Sequence, residues 1–520
     1  MARAKIVNYY NHRYKGSLTD NQCYTLETIL DLNNKGGSIP SLKHVIYDLT
    51  DEQVEQIKET GTCDGDKKLG ELTDMQTLGV GYMYHAGNCI LGDSVGLGKT
   101  VQFAGLCNLL KSECKKQGRD FYFLYLTEKN LVMQAQSEFI RFTGEYVDLV
   151  FGDKVNCSKF VKRHDDNLSV SVVGAHSIIK SGVFLEWLDR RTSVTGNPPF
   201  VLLGIDESSI LGNSKSAYWK ATVKFKNYFE RLVFLNATPF EKQLSVFYNQ
   251  LNLLDGAFLP TKTNFDAEYV IFRYNGSYRE PSGQYKNADK FRQLVSYRYL
   301  KRTRKENGAV MKDCVSKLCV SPLTPMQKSL LKRTSIPQLV YDCPNMIDDT
   351  IEFNTVNVPK LDTLWHILFE DFDDADTVLL FVHYKEAQYS ISRWLDEMDV
   401  TNKVLNGETS PKTRYEIING FKRGDFRILI TNVQKGLNFG DCDFCIFYGF
   451  DPNPNKMVQM EGRITRSFDI IGKTVYLLCS EGNELKTYEK VVKQRAKASK
   501  DFSGADLSCI MDLLLNETGD

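Results

Sequence analysis

Leu91-Gly92-Asp93-Ser94-Val95-Gly96-Leu97-Gly98-Lys99-Thr100-Val101-Gln102 is the stretch from which the architecture of the chain is read. It follows a short run of strand character, Asn88-Cys89-Ile90-Leu91, and it leads into apolar residues at helical spacing over 100–110. The glycines therefore fall at a strand-to-helix turn. There Gly96 and Gly98 leave room for backbone N–H groups to point at phosphate oxygens, with the positive end of the helix behind them. Lys99 is placed to reach the β- and γ-phosphates of a nucleotide, and the Thr100 hydroxyl to take one position on Mg²⁺. Asp93 stands where such a loop usually has its first glycine. Asp93, Gly96, Leu97, Gly98, Lys99 and Thr100 are the candidate nucleotide contacts; a tight glycine turn with a chance Gly-Lys-Thr is the competing reading.

Downstream, strands and helices alternate as in a parallel sheet covered on both faces, with strands expected at 121–126, 168–173 and 200–205 and a helix at 130–142. The 200–205 run passes directly into Asp206-Glu207-Ser208-Ser209. The C-terminal end of a buried strand is where an open α/β sheet has its ligand crevice. Asp206 is accordingly assigned to Mg²⁺, directly or through water, and Glu207 to polarising an attacking water. A solvated Asp-Glu loop is the alternative, and the phosphate loop upstream weakens it. After a strand at 232–235, Asn236-Ala237-Thr238-Pro239 either senses a γ-phosphate or is a strand ended by proline. Before the phosphate loop, a helical pattern over 72–80 carries Gln76, whose amide offers a donor and an acceptor to an adenine edge or is simply solvated.

The alternation weakens between about residues 260 and 358, where Lys286, Lys290, Arg292, Arg298, Lys301, Arg302, Arg304 and Lys305 are interleaved with Tyr285, Phe291, Tyr297 and Tyr299. This pattern suits a nucleic-acid backbone, and it suits a solvated basic helix face equally well. A second α/β unit opens near Pro359-Lys360-Leu361, with strands expected at 378–382, 426–430 and 444–448 and a helix at 387–398. It has no phosphate loop of its own. It has instead Gln459-Met460-Glu461-Gly462-Arg463-Ile464-Thr465-Arg466, with two arginines on one helix face. Arg463 and Arg466 can reach a γ-phosphate bound by another domain and stabilise transition-state charge; an ordinary Arg-rich amphipathic helix is the other reading.

The chain's 520 residues are too many for one core and divide into two to four domains. Lys plus Arg and Asp plus Glu are both 65, so any surface for nucleic acid has to come from local clustering. Residues 1–15 lack the apolar core of a signal peptide and no run approaches a membrane span, so a soluble, unsecreted protein with no membrane partner is expected. The 13 cysteines show no regular framework, which suits thiols in a reducing compartment. Cys442 and Cys445 lack a second pair at zinc-site spacing. A leading region over 1–70, with capping-box spacing at Thr50-Asp51-Glu52-Gln53, and a basic helix and short amphipathic tail over 486–520 complete the chain.

Taken in order, these stretches resemble superfamily 2 helicases, and among them the Swi/Snf-type double-stranded DNA translocases. The Gln76 segment is similar to the family's glutamine motif, and Asp93 to Thr100 to its phosphate loop, which commonly carries Asp at that place. Asp206-Glu207-Ser208-Ser209 resembles the DEAD/DEAH position, Asn236-Ala237-Thr238-Pro239 resembles motif III, and Leu323-Thr324-Pro325-Met326-Gln327 resembles the Leu-Thr-Pro-x-Gln signature before the linker. Leu405-Asn406-Gly407-Glu408-Thr409 with Arg414, then Gly436-Leu437-Asn438-Phe439, Asp451-Pro452-Asn453-Pro454 and 459–466, continue the match in the same order. Gly212-Asn213 departs from the family's basic residue and Asn, and Ser467-Phe468-Asp469 replaces its Ile-Gly-Gln. With no chromatin-reading, nuclease or zinc module appended, the resemblance leans toward a compact bacterial or phage motor.

The resemblance implies an α/β fold of two RecA-like parallel-sheet lobes in tandem, a P-loop NTPase with a small N-terminal region and a partly helical connecting segment. The expected divisions are 1–70, lobe one at 71–258, a basic insertion and linker at 259–358, lobe two at 359–485, and the basic helix and tail at 486–520. ATP and Mg²⁺ are the implied cofactors, bound on lobe one through Gln76, Lys99, Thr100, Asp206 and Glu207, with Gln459 also a nucleotide contact and Arg463 and Arg466 supplied by lobe two. Implied contacts to a nucleic-acid backbone come from Lys129, Asn130, Thr409, Thr431 and Asn432. The implied activity is ATP hydrolysis that drives movement along nucleic acid, duplex DNA before single strands or RNA, in replication, recombination, repair or transcription. A strand-separating helicase and an ATP-driven remodeller that displaces proteins from DNA are the competing readings. The implied location is the cytoplasm of a bacterial or phage-infected cell, with the nucleus as the other.

Overall fold

Strands that are apolar at every position have to be covered on both faces, and this requirement organises the structure, a computed structural model. It describes residues 49–58, 63–64, 67–68, 72–165, 168–196, 198–240, 243–302, 315–373, 376–432, 442–449 and 474–487, with 489, 497, 498 and 501. The chain forms two compact units, the first of residues 1–307 with 501–505 and the second of 308–500 with 506–520.

In the first unit, beside a two-residue antiparallel pair of Cys63–Asp64 with Lys67–Lys68, the strands include β1 (Cys89–Leu91), β2 (Phe123–Thr127), β3 (Val147–Val150), β4 (Ser171–Ala175), β5 (Leu202–Asp206) and β6 (Arg231–Leu235). A hairpin of β7 (Val270–Asn275) and β8 (Tyr278–Tyr285) precedes the short β9 (Tyr299–Leu300). The main sheet runs β9-β1-β6-β5-β2-β4-β3, with every pairing parallel. Its helices include α1 (Asp74–Ala86), α2 (Lys99–Lys116), α3 (Val132–Thr143) and α4 (Leu244–Leu254). Phe103 of α2 meets Phe123 and Tyr125 of β2 and Phe139 of α3 edge to face. Gly204 on β5 makes that approach possible, because a Cβ there would stand 2.6 Å from the Phe103 ring. The expected strands and the 130–142 helix lie within a few residues of those observed; β3, a half-polar Val-Asp-Leu-Val, is an addition.

The second unit holds β10 (Val315–Ser321), β11 (Val378–Phe381), β12 (Asn402–Leu405), β13 (Ile428–Thr431), β14 (Phe444–Phe447) and β15 (Thr474–Ser480), in the order β10-β15-β14-β11-β13-β12, again all parallel. Helices α5 (Pro359–His366), α6 (Lys385–Asp396) and α7 (Pro411–Arg423) belong to it. The stretch 259–358, expected as an insertion and linker, is divided: β9 extends the first sheet beside β1, and β10 zips along β15 from Val315 to Ser321. Cys442 and Cys445 are buried thiols in the core of this unit.

Inside the second unit, Lys360 of α5 is fully buried and its Nζ donates to Asp342 Oδ1 (2.7 Å), Glu484 Oε1 (2.8 Å) and the Tyr448 carbonyl (3.3 Å). Gln338 Nε2 donates to both carboxylates, at 3.0 Å to Asp342 and 2.7 Å to Glu484. Burial lifts Asp342 to about 6 against the pull of Lys360. Burial also works to discharge Lys360, yet the two carboxylates outweigh it and hold its pKa above the ordinary lysine value. Lys360→Met should therefore destabilise the protein by about 3–5 kcal/mol at pH 8, because it leaves buried carboxylates uncompensated. Without Lys360 the folded state binds protons more tightly than the unfolded chain, so the variant's stability falls as pH rises from the unfolded carboxylate range. Urea unfolding should show a smaller deficit at pH 5.5 than at pH 8.

Candidate active site

The phosphate loop is shaped by two glycines in the left-handed region, Gly96 at φ 89° and Gly98 at φ 74°. Gly98 is the N-cap of α2 and supplies no side-chain cap, so the first amides of the helix are left facing the loop. Gly98 is needed for space as well: a Cβ there would lie 2.6 Å from Gln76 Nε2. Gln76 is thus against the loop, as its candidate role requires, but its Oε1 accepts from Thr73 N at 3.1 Å in a capping box that opens α1. The amide nitrogen is the end turned to Gly98. Lys99 Nζ donates to the carbonyls of Asp93 (2.7 Å) and Ser94 (3.4 Å).

Asp93 points the other way. Its side chain is fully buried and ion-paired with Arg302, whose Nε reaches Oδ1 at 3.0 Å, while Gln102 Nε2 donates to Oδ2 at 3.0 Å. Arg302 also donates to Gln102 Oε1 (2.8 Å) and to the Met75 carbonyl. The Asp93 carboxylate therefore shapes the loop from inside, and only its backbone is available on the phosphate side.

Asp206 and Glu207 end β5 at the same edge of the sheet at which β1 enters the phosphate loop. Asp206 Oδ1 accepts from Glu207 N (3.0 Å), Oδ2 faces the Thr127 hydroxyl (3.5 Å), and the buried Tyr125 hydroxyl is shared with Thr100 and Asp206. Burial, followed by the like charge of Glu207, lifts Asp206 to about 7, with Lys99 and the Glu207 N–H pulling it back. A half-buried oxygen donor in that condition, beside the Thr100 hydroxyl, is chemically suited to a hard divalent cation. Glu207 itself is left-handed, at φ 47° and ψ 50°. That is a strain of about 1–3 kcal/mol for a residue with a Cβ, of the kind found where side-chain direction matters more than backbone comfort.

Asn236 and Thr238 are buried beside this edge, and Asn236 Oδ1 accepts from Thr238 N at 3.0 Å. Lys129 and Asn130 are exposed just after β2. In the second unit, Thr431 is fully buried and donates to the Leu405 carbonyl (2.7 Å), so its side chain is not on a binding surface. Asn432 Nδ2 donates to the His383 carbonyl (3.3 Å), and the Thr409 hydroxyl accepts from Asn406 N (3.1 Å). Gln459, Arg463 and Arg466 lie outside the described residues. The basic cluster divides: Arg298 bonds the Ala86 and Asn88 carbonyls and Asp255, and Lys301 the Ala237 carbonyl, in the interior, whereas Lys290 pairs with Glu268 and Arg292 with Asp289 on the surface, where Lys286 is also exposed. Phe291, Tyr297 and Tyr299 are core. Arg304 and Lys305 lie outside the described residues. Sequence reasoning missed Tyr125, Thr127, His176 and Gln250, and put Arg302 in a basic surface cluster, whereas all five support the site from within; a tyrosine in an otherwise apolar strand was the one visible sign.

A family model described as the SNF2-related domain matches residues 5–360, and one described as the helicase conserved C-terminal domain matches 359–468. The chain is 23% identical over 453 residues to the SWI/SNF-related matrix-associated actin-dependent regulator of chromatin subfamily A-like protein 1 of Bos taurus, covering 82% of this chain and 44% of that protein. It is 22% identical over 470 residues to the chromodomain-helicase-DNA-binding protein 1 of Homo sapiens, covering 82% of this chain and 26% of that protein. The chain thus spans less than half the length of these curated relatives. Among solved structures, the Sulfolobus solfataricus SWI2/SNF2 ATPase core in complex with dsDNA is similar, at 18% identity and TM-score 0.38, over 86% of this chain and 96% of that one.

Three substitutions test the electrostatics of the first unit. Arg302→Met should lower stability by about 3–5 kcal/mol by leaving Asp93 buried without its partner. Adding Asp93→Asn should restore part of the loss, read as the urea midpoint. Asp206→Asn keeps the acceptor for Glu207 N and removes a half-buried charge beside a like one. It should raise the melting temperature at pH 8 by roughly 2–4 °C, the equivalent of about 1 kcal/mol.

Proposed function

The chain belongs to the SNF2-related family, a superfamily 2 Swi/Snf-type ATPase with two RecA-like lobes, and from that premise we propose that it hydrolyses ATP with Mg²⁺ to move along nucleic acid, duplex DNA in preference to single strands or RNA. One observation carries the reading. Lys99 and Thr100 open α2 at the edge of the sheet where β5 ends at Asp206 and Glu207, an arrangement that suits phosphate binding, cation binding and water activation on one rim.

Lys99 engages the β- and γ-phosphates in place of its loop carbonyls, and the left-handed Glu207 orients the attacking water. Asp206 and the Thr100 hydroxyl would hold Mg²⁺, which when bound offsets charge on the transferred phosphoryl group. Gln76 approaches the nucleotide with its amide nitrogen. Gln459 adds a nucleotide contact, while Arg463 and Arg466 reach the γ-phosphate from the second lobe, an arrangement worth about 10³ to 10⁵ in rate. Lys129, Asn130, Thr409 and Asn432 grip the nucleic-acid backbone, so movement is indifferent to base sequence and is weakened by salt. The name of the human relative includes DNA binding, which favours DNA. The reduced thiols among the described cysteines fit the cytoplasm of a bacterial or phage-infected cell, with replication, recombination, repair or transcription as the setting.

Steady-state ATP hydrolysis measured without nucleic acid, with duplex DNA, with single-stranded DNA and with RNA tests the proposal. Duplex DNA should stimulate most, and Lys99→Ala and Glu207→Gln should each abolish the stimulated rate. Stimulation by single strands or RNA alone would indicate a conventional helicase. No stimulation by any of them would remove the nucleic-acid motor.

A further inference from the structure

The strained turn at Glu207 is held from both sides by buried side chains that lie outside the sequence motifs. On one side His176, which directly follows β4, donates from Nε2 to the Asp206 carbonyl at 2.7 Å. On the other the Ser208 hydroxyl donates to Gln250 Oε1 at 2.7 Å. Gln250 belongs to α4 and is fully buried, a position where an amide is costly unless its hydrogen bonds are made. They are made, and their partners are specific: Nε2 donates to the Pro239 carbonyl (3.1 Å) and to the Val246 carbonyl (3.1 Å), and Oε1 also accepts from Asn236 Nδ2 (3.4 Å). One amide therefore touches both the turn that carries Glu207 and the stretch 236–239, which ends the neighbouring strand β6.

We propose that His176 and Gln250 are positioning residues that fix the direction of the Glu207 carboxylate, and that Gln250 is the element through which a displacement of 236–239 moves that carboxylate. The kinetic part of this proposal rests on the hydrolysis reading. The structural part does not. A leucine or methionine at 250 would fill the same space, but it would leave the Ser208 hydroxyl and the Pro239 carbonyl without their partner. Glu207 would then lose the restraint that opposes relaxation out of the left-handed region.

The experiment compares Gln250→Met, Ser208→Ala, the double variant and His176→Phe with the unmodified full-length chain. Gln250→Met and His176→Phe should each lower kcat for ATP about 10- to 100-fold while KM stays within about two-fold, since water positioning is disturbed and nucleotide contacts are not. The double variant should be no slower than Gln250→Met alone, because both changes break the same link. Amide hydrogen exchange, read without nucleotide, should quicken in both 208–211 and 236–240 in Gln250→Met. An additive double variant, a loss confined to KM, or exchange unchanged at 236–240 overturns the proposal. If the unmodified chain does not hydrolyse ATP, the hydrolysis reading fails and the exchange measurement still decides whether Gln250 joins the two segments.

Discussion

The phosphate loop depends on a carboxylate that never faces it. Asp93 and Arg302 are 209 residues apart, and their pairing closes one side of the loop from the interior. The backbone follows the same path: Ile90 N, Gly92 N and Ser94 N donate in turn to the carbonyls of Arg298, Leu300 and Arg302, at 2.8, 2.7 and 3.1 Å. The ladder of β1 and β9 is thus continued two residues into the loop, so the loop leaves the sheet as an anchored strand. A buried ion pair recovers its desolvation cost only when geometry and secondary hydrogen bonds are good. Here Gln102 and the Met75 carbonyl supply them. Because Lys99 bonds the Asp93 carbonyl, the orientation of the site's principal cation is set by the same residue whose side chain is locked inside.

How much of this was legible in the sequence follows from what each signal measures. Parallel strands buried on both faces are written as uninterrupted apolar runs, so β2, β5, β6, β11 and β14 could be placed within a few residues. The Gly-x-Gly-Lys-Thr turn was legible because few other backbones need that pattern. Direction was not legible. Residues 286–302 place cations among aromatics, and the sequence contains nothing to distinguish an arginine that faces phosphate from one that caps carbonyls; Arg298 and Lys301 do the second. Asp93 and Thr431 illustrate the same limit, since each is a polar residue at a motif position whose side chain is turned into the core. Gln250 was invisible because an amide on an apolar helix acquires meaning only from partners that are distant in sequence.

The two units solve the burial of charge differently. The first uses an ion pair whose charges cancel, Asp93 with Arg302. The second surrounds one lysine with two carboxylates, leaving a formal excess of negative charge in the interior. That excess is tolerable because Gln338 donates to both carboxylates, Ser480 N donates to Glu484 at 2.7 Å, and burial lifts Asp342 toward protonation. Such a cluster is weak evidence for stability as such. It ties α5, the helix Pro337–Asp342 and the end of β15 into one arrangement, because Lys360 can satisfy its partners in only one geometry.

The electrostatics of the first unit are arranged so that a nucleotide and a cation change what the neighbouring groups need. Lys99 donates to two neutral carbonyls, and a phosphate offers it formal negative charge. Asp206 is carried to about 7 by burial and by Glu207, and a cation bound there would oppose that shift. A ligand moves a conformational equilibrium only by the difference in its interaction with the two states. Here that difference is concentrated at the ends of β1 and β5, on the rim to which Asn236 and Gln250 also connect. Loss of the γ-phosphate would alter the needs of Lys99 and Asp206 together. The buried hydrogen bonds from Ser208 through Gln250 to Pro239 then add a side-chain route, beside the β5–β6 pairing itself, by which that change reaches the stretch after β6.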